Sequence, residues 1–341
     1  MDFLQNYGLF FAKTITIAAV FFIFIGFIAL LRAKNRDQQQ GELTIVKINE
    51  KYEDMKSALE SNWLDKNAYK KLHKEKKKKD KEKAKEQSKD KEQLSEQKRL
   101  FVLNFDGDLR ASDTDFLREE ITAILLVATP KDEVLVRLES GGGMVHCYGL
   151  AAAQLARFRD YNIKLTVVVD KVAASGGYMM ASVANTIMAA PFAIVGSIGV
   201  LAQIPNFNRV LKKYNIDFEQ ITAGEFKRTL TLFGENTKKD REKFQEEIED
   251  THQLFKDFIT HFRPQVDINT VATGEHWYGQ RAIDLNLVDG LMTSDDYLLQ
   301  RHEQMDIYEV MYEYKMTFKD KLSEYIQGSI KKTFRYFFAK Y

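Results

Sequence analysis

From Arg99 onward the sequence predicts an α/β core with substantial parallel sheet, preceded by one transmembrane helix and a charged linker. Three observations lead there. Short runs of β-favouring residues alternate with helical stretches across residues 100–291, and crossover connections of that kind join parallel strands. Thr14 to Leu31 is an 18-residue run without charge, long enough at about 1.5 Å per residue to cross most of a bilayer's hydrocarbon core. Between these parts, no large apolar residue occurs from Leu72 to Leu94, so that stretch cannot bury a core.

The anchor is assigned to residues 1–35. Gly8 to Ala12 extends the apolar run, and Leu31-Arg32-Ala33 lacks the small-x-small site of a cleaved signal peptide. Arg32, Lys34 and Arg36 follow the span, whereas Lys13 is the one side-chain cation before it. That bias by itself favours a cytoplasmic body. Residues 36–98 form an amino-terminal extension, with a short strand at Leu43–Ile48 and an amphipathic helix around Tyr52–Leu64. The charged linker follows. Lys66 to Arg99 carries 14 Lys and 1 Arg against 7 acidic residues, a local excess of +8 that leaves −7 for the remainder of a chain whose total is +1. Such a strip suits anionic lipid headgroups. It lacks the interleaved aromatics of a base-stacking surface, so it is read as a spacer and no nucleic-acid partner is expected.

Residues 99–305 carry the α/β pattern. Leu100–Phe105 reads as the first strand, and Asp113 is placed to cap a helix from Thr114 to Ala128 before Pro130. Glu133–Leu138 is the next strand; it runs into Glu139-Ser140-Gly141-Gly142-Gly143, and an alanine-rich helix follows from Met144 to Asp160. Thr166–Val169 is a buried strand, broken at Asp170-Lys171, after which Ala173-Ala174-Ser175-Gly176-Gly177 opens a small-residue helix. Beyond it come a strand at Thr186–Ala190 and a glycine-interrupted apolar run, Ala193–Leu201, read as core. A helix at Phe207–Tyr214 and a strand at Asp217–Thr222 precede Ala223–Leu230. Thr237–Phe262 is a long helix with Phe244, Ile248, His252, Phe255, Ile259 and Phe262 on one stripe. Gly274–Leu291 reads as a turn, a short helix and a final edge element. Residues 306–341 form a tail suited to an interface helix or a lid.

The candidate nucleophile is Ser175, for which a plain small-residue turn is the competing reading. A serine on a tight strand-to-helix turn exposes its hydroxyl, and the sequence is close to the G-x-S-x-G elbow with alanine in the first glycine position. A serine needs a base. Of six histidines, only His146 lies beside the glycine-rich loop, and no aspartate stands out to orient it. The alternative is a neutral lysine, whose ammonium must fall from about 10.4 toward neutrality through burial. Lys227 is flanked by Phe226, Leu230, Leu232 and Phe233, a desolvating setting. Tyr178 and Met179 are open to either a site-lining or a core role. The single Cys147 excludes an intrachain disulfide, and no C-x-x-C, H-E-x-x-H or G-x-x-x-x-G-K-[ST] pattern occurs. No cofactor or metal is expected.

The glycine-rich loop after a strand, then V-A-A-S-G-G-Y, P-x-x-x-x-G-S-I-G-V and G-x-x-K in that order, resemble the signal peptide peptidase (SppA) family of serine peptidases over about residues 99–292. The chain is most similar to the branch that pairs a single amino-terminal anchor with a long charged segment. The resemblance implies a ClpP/crotonase-like fold of repeated ββα units. It also implies a Ser–Lys dyad: Ser175 as nucleophile, Lys227 as general base, Ser197 orienting Lys227, and Gly142 with Gly176 forming the oxyanion hole. Where the family commonly has S-P-G-G, this chain has Ser140-Gly141-Gly142-Gly143, which removes a preorganising proline. The resemblance further implies a homo-oligomer with sites where protomers meet. The family's catalytic domain normally sits outside the cytoplasmic membrane, so the resemblance implies the opposite of the charge reading above. Lys13 and the terminal amine weaken that charge reading, so an inner-membrane protein with an extracytoplasmic catalytic domain is the expectation.

The function expected is a membrane-anchored endopeptidase acting on membrane-derived or unfolded peptides. Two other readings compete with it. A crotonase-type enzyme would use the glycine loop on an acyl thioester, for which a serine and a lysine are unnecessary. A non-catalytic membrane scaffold would act through the basic strip and would be indifferent to Ser175.

Overall fold

The structure, a computed structural model, describes residues 2–36, 41–65, 67, 74 and 98–314. Most of the charged linker and residues 315–341 of the tail lie outside the described residues. Two units are distinguished: residues 1–43 with 312–341, and Thr44–Met311.

In the first unit, helix α1 runs unbroken over Asp2–Arg36. Thr14 and Thr16, its two hydroxyl residues within the apolar run, donate back to Phe10 O at 2.9 Å and Ala12 O at 2.8 Å. Counting only the described side chains, no helix is long and apolar enough to cross a membrane.

The second unit is built on a mixed sheet. Its main strands are β2 (Arg99–Gly107), β3 (Glu133–Ser140), β4 (Lys164–Val169), β6 (Thr186–Ala189) and β9 (Gly290–Leu291), together with the Thr44–Lys47 part of β1 (Gly41–Lys47) and the Asp306–Met311 part of β10 (Asp306–Tyr314). Their order is β1-β10-β2-β3-β4-β6-β9. Pairing is parallel from β10 through β9. The end of β3 also pairs β5 (Val172–Ala174), which pairs β7 (Ile194–Gly196) in parallel; β7 then pairs β8 (His276–Tyr278) antiparallel. Helices α3 (Thr114–Leu125), α4 (Val145–Asp160), α5 (Gly176–Ser182) and α7 (Lys238–Phe262) contribute to a core on one face of the sheet. Helices α2 (Ile48–Trp63) and α10 (Ser294–Arg301) contribute to a second core on the other.

Period-2 alternation sorts the strand side chains between these cores. Phe101, Leu103 and Phe105 of β2 and Val134, Val136 and Leu138 of β3 belong to the first; Leu100, Val102 and Leu135 join Ile48, Tyr297, Leu298 and Ile307 in the second. Residues buried on both faces read in sequence as continuous apolar runs, as expected for parallel strands.

Several expectations are corrected. Asp113 stands at the start of α3, but its carboxylate accepts from the Asp106 N–H at 3.1 Å and caps nothing. Residues 217–222 form no strand: Phe218 and Ile221 favour β structure, yet they sit exposed with no strand beside them. The segment read as a tail begins with strand β10, whose Ile307 and Val310 are buried and which pairs β2 from Asp306 to Glu309. Ala193, Val195 and Ile198 are buried as the core reading requires, whereas Leu201 is exposed. Tyr178 and Met179 face the core, with Tyr178 Oη donating to Leu287 O at 2.9 Å.

Candidate active site

Ser175 sits between β5 and α5. Its φ of +52° and ψ of −119° lie outside the regions an L-residue prefers, a cost of order 1–3 kcal/mol that the surroundings must hold in place. They do so at both peptide groups. The Ser175 N–H donates to Gly196 O at 2.8 Å, and its carbonyl accepts from Met179 N–H at 3.0 Å. Its Oγ makes no hydrogen bond among the described residues, and the residue is half-buried.

The glycine loop closes against this turn. Gly142 has φ +86°, and a Cβ there would lie 2.7 Å from Ala174 O, Gly176 N and Ser175 Cβ. The loop thus approaches the nucleophile turn more closely than any side chain at this position would permit. The Gly142 N–H is engaged, donating to Ser140 Oγ at 3.0 Å. Gly143, the next residue, has no hydrogen bond to its N–H among the described residues. The Gly176 N–H opens α5, where no helical acceptor exists for it.

The sequence did not single out Ser140 or Tyr148, yet both lie at the centre of this arrangement. Ser140 Oγ contacts Tyr148 Oη at 2.5 Å, and Tyr148 Oη donates to Asp108 O at 2.7 Å. Burial pushes the Tyr148 phenol above its ordinary value, so it remains a neutral hydroxyl. Asp108 is held below the usual carboxylate range by the backbone N–H and hydroxyl of Ser112 and the backbone N–H of Arg110. The signal in the sequence was Ser140 directly ahead of the glycines, but its partner on the following helix is a fact of the fold.

Ser197 lies near Ser175 because β5 pairs β7, with Ala174 opposite Gly196. Ser197 also has positive φ, +52°. It is pinned to the Gly274–Glu275 turn: its N–H donates to Glu275 O at 2.7 Å and its Oγ to Gly274 O at 3.4 Å. No bond joins it to Lys227 among the described residues.

Lys227 lies on an arm of residues 201–237 whose residues are exposed throughout most of its length. The arm keeps its own order. Asn206 Nδ2 donates to Thr231 O and Gly234 O at 2.9 and 3.0 Å, and Phe207, Phe218 and Phe233 stack with centroids about 6 Å apart. Lys227 lines a cleft of about 820 Å³ together with Phe218, Ile221, Leu230, Leu232 and Phe233. Of the apolar neighbours foreseen for it, Leu230, Leu232 and Phe233 line the cleft, whereas Phe226 carries Lys239 and Lys243 over its ring, and Lys227 is exposed. Ser175, Ser197, Gly142 and Gly176 are therefore brought together within one chain, and Lys227 is not joined to them. His146 is exposed on the first turn of α4. No group of three or more potential metal ligands occurs among the described residues.

Comparison with known proteins gives two adjoining matches: Peptidase family S49 N-terminal over residues 2–155, and Peptidase family S49 over residues 157–307. Among curated relatives, the chain is 49% identical to the probable protease SohB of Haemophilus influenzae, over 96% of this chain and 94% of that one. It is 48% identical to the probable protease SohB of Buchnera aphidicola subsp. Acyrthosiphon pisum, over 100% and 99%. A putative protease of Methanocaldococcus jannaschii is 33% identical over 50% of this chain and 55% of its own.

Proposed function

The chain belongs to peptidase family S49, and from that premise we propose that it is a serine endopeptidase with a Ser175–Lys227 dyad, cleaving membrane-derived or unfolded peptides. The observation that carries this reading is the strained turn at Ser175, with an unbonded hydroxyl and the glycine loop packed against it. The unprotonated Lys227 amine takes the Ser175 proton as Oγ bonds to the scissile carbonyl carbon. Charge then develops on the carbonyl oxygen, and the N–H groups of Gly143 and Gly176 receive it. Collapse breaks the C–N bond, with the proton passing from Lys227 to the leaving amine. Water repeats the sequence on the acyl-enzyme.

The exposed lysine arm argues for a dyad completed between protomers. Leu201, Tyr214, Ile216 and Ile221 are all more than half exposed on it, apolar surface suited to being covered by a second copy. Covering the arm with a second copy strips water from the Lys227 amine, which favours the neutral form a base requires. Ser197 is then the neighbouring hydroxyl available to orient that amine. A ring of protomers on a ClpP/crotonase-like fold is the assembly that the resemblance to the signal peptide peptidase family implies. The uncharged run of α1 and its inward-satisfied threonine hydroxyls suit a membrane anchor. On this reading the chain is an inner-membrane protein whose catalytic unit is extracytoplasmic.

The test uses the detergent-solubilised full chain with casein and fluorogenic peptides. Ser175→Ala and Lys227→Ala are each expected to abolish hydrolysis with unchanged oligomer size. Co-assembling the two inactive variants restores about a quarter of the sites if each site draws on two neighbours. Activity in the Ser175→Ala chain would overturn the proposal. Wild-type inactivity in an assembled oligomer, across varied peptides, would also overturn it, in favour of a non-catalytic scaffold.

A further inference from the structure

The geometry points to Ser140 and Tyr148 as positioning residues that hold the glycine loop against the nucleophile through a one-directional relay of hydroxyls. The inference rests on the reading that Ser175 is the nucleophile and that this loop helps hold the oxyanion. It begins with a count of protons. Tyr148 Oη has a single hydrogen and donates it to Asp108 O at 2.7 Å. The 2.5 Å contact between Tyr148 Oη and Ser140 Oγ is therefore donated by Ser140. That leaves the Ser140 oxygen as acceptor for the Gly142 N–H at 3.0 Å. The chain runs from Gly142 N–H to Ser140 Oγ–H, then to Tyr148 Oη–H, and ends on the Asp108 carbonyl.

Burial makes the relay rigid. Tyr148 is 0% and Ser140 2% exposed, so neither hydroxyl has water to turn to, and a broken link leaves a buried polar group unpaired. Three glycines make room for the pair. A Cβ at Gly107 would meet Ser140 Oγ at 2.4 Å and Tyr148 Oη at 2.5 Å; one at Gly177 would meet Ser140 O at 2.6 Å; one at Gly176 would meet Tyr148 Cγ at 2.4 Å. Tyr148 thus fixes both sides of the site: its hydroxyl anchors the loop through Ser140, and its ring lies against the residue that follows the nucleophile.

The need for such a device follows from the loop itself. Gly141, Gly142 and Gly143 are consecutive, and three glycines without a proline give a backbone that many conformations suit equally. An oxyanion donor must be fixed before the charge appears. Tying Gly142 N–H to Ser140 fixes the Gly141–Gly142 peptide plane, and the Met144 N–H bond to Leu109 O at 2.9 Å fixes the Gly143–Met144 plane, so the peptide between them, which carries the Gly143 N–H, is held from both sides.

The test compares Ser140→Ala, Tyr148→Phe, the double variant and Tyr297→Phe in the assembled full chain. Tyr297 loses a buried hydroxyl bond to Thr166 Oγ1 on the other face of the sheet, and so serves as the control for a merely structural loss. Ser140→Ala strands the Gly142 N–H and is expected to lower kcat about a hundredfold, with KM within twofold. Tyr148→Phe is expected to cost less, about tenfold, because Ser140 can turn to Gly107 O, 3.4 Å away. The double variant is expected to match Ser140→Ala, as members of one relay do. Tyr297→Phe should leave kcat within twofold at a similar loss of melting temperature. Wild-type kcat in Ser140→Ala, a loss confined to KM, or an equal fall in Tyr297→Phe would overturn the inference while Ser175→Ala remains inactive. Activity in Ser175→Ala would instead overturn the reading beneath it.

Discussion

Replacing Gly142 with alanine tests whether close approach of the glycine loop to Ser175 matters for turnover. The new Cβ would sit 2.7 Å from three atoms, Ala174 O, Gly176 N and Ser175 Cβ, where ordinary contact begins near 3.4 Å. None of the three is the end of a flexible side chain, so the loop and the nucleophile turn must separate by about 0.7 Å. A misplacement approaching 1 Å costs on the order of 10²-fold in rate, so kcat should fall about that far. The φ of +86° adds strain for any L-residue, about 1–2 kcal/mol, and overpacking adds about 1–3 kcal/mol; the melting temperature should therefore fall too. The control lies one residue away. A methyl group at Gly141 would meet nothing within 4 Å, and the φ there is not positive, so Gly141→Ala should keep both kcat and stability. Steady-state peptide hydrolysis and thermal unfolding of both variants decide it. Wild-type kcat in Gly142→Ala, or equal losses at both positions, would refute the reasoning.

Two further predictions concern stability. Arg263 is buried and makes a two-pronged pair with Asp289, at 2.7 and 2.9 Å, plus a bond to Asn286 O at 2.9 Å. Arg263→Ala should therefore cost about 2–3 kcal/mol in urea unfolding, because it removes charge-assisted bonds from a buried guanidinium and leaves the partly exposed Asp289 with the Ile187 N–H as its remaining donor among the described residues. Burial alone would raise the Asp132 carboxyl, but hydrogen bonds from Arg99 and Thr129 outweigh it and hold Asp132 below its ordinary value of 3.8. Its contribution is fully present above that unfolded value and is lost as pH falls through the lower folded one. Acid unfolding should thus begin below about pH 4 and should flatten in Asp132→Asn, with a loss at neutral pH of about 2–4 kcal/mol; an unchanged acid limb would count against it.

The parts of the fold legible in the sequence were those whose burial is repeated in the pattern. Leu100–Phe105 and Glu133–Leu138 are apolar on both faces of a parallel sheet, and they emerged as strands within two residues of their observed ends. The capping box at Thr237, where the side chain accepts from Asp240 N–H and Asp240 in turn accepts from Thr237, marks the start of α7 as sharply in sequence as in structure. Val172–Ala174 did not emerge, since three small residues carry no period. Residues 217–222 misled because β propensity records a fit to a pleated, half-buried surface, and the arm supplies none. At the site, Ser175 announced itself through the glycines that follow it. Tyr148 could not, because its meaning depends on a helix turn being brought beneath Ser140 and Gly176, a relation no local spacing encodes.

The physical contrast between the two halves of the proposed dyad bears on how activity is controlled. The nucleophile turn is fixed on every side: β7 takes its N–H, the glycine loop presses on it, and Tyr148 lies beneath it. The lysine arm is held by its own asparagine bonds and a three-phenylalanine cluster, with Ile221 left 95% exposed. On the proposed reading, the costly element, a strained serine, is stabilised inside each chain and persists whether or not the chain assembles. The base is the element that assembly supplies. A protease divided in this way is silent as a monomer, because an unassisted serine hydroxyl is a weak nucleophile, and it gains its base only where apolar surface from a second copy covers the arm. Coupling proteolysis to association then requires no separate inhibitory segment, only an arm too apolar to remain alone and too small to form a core of its own.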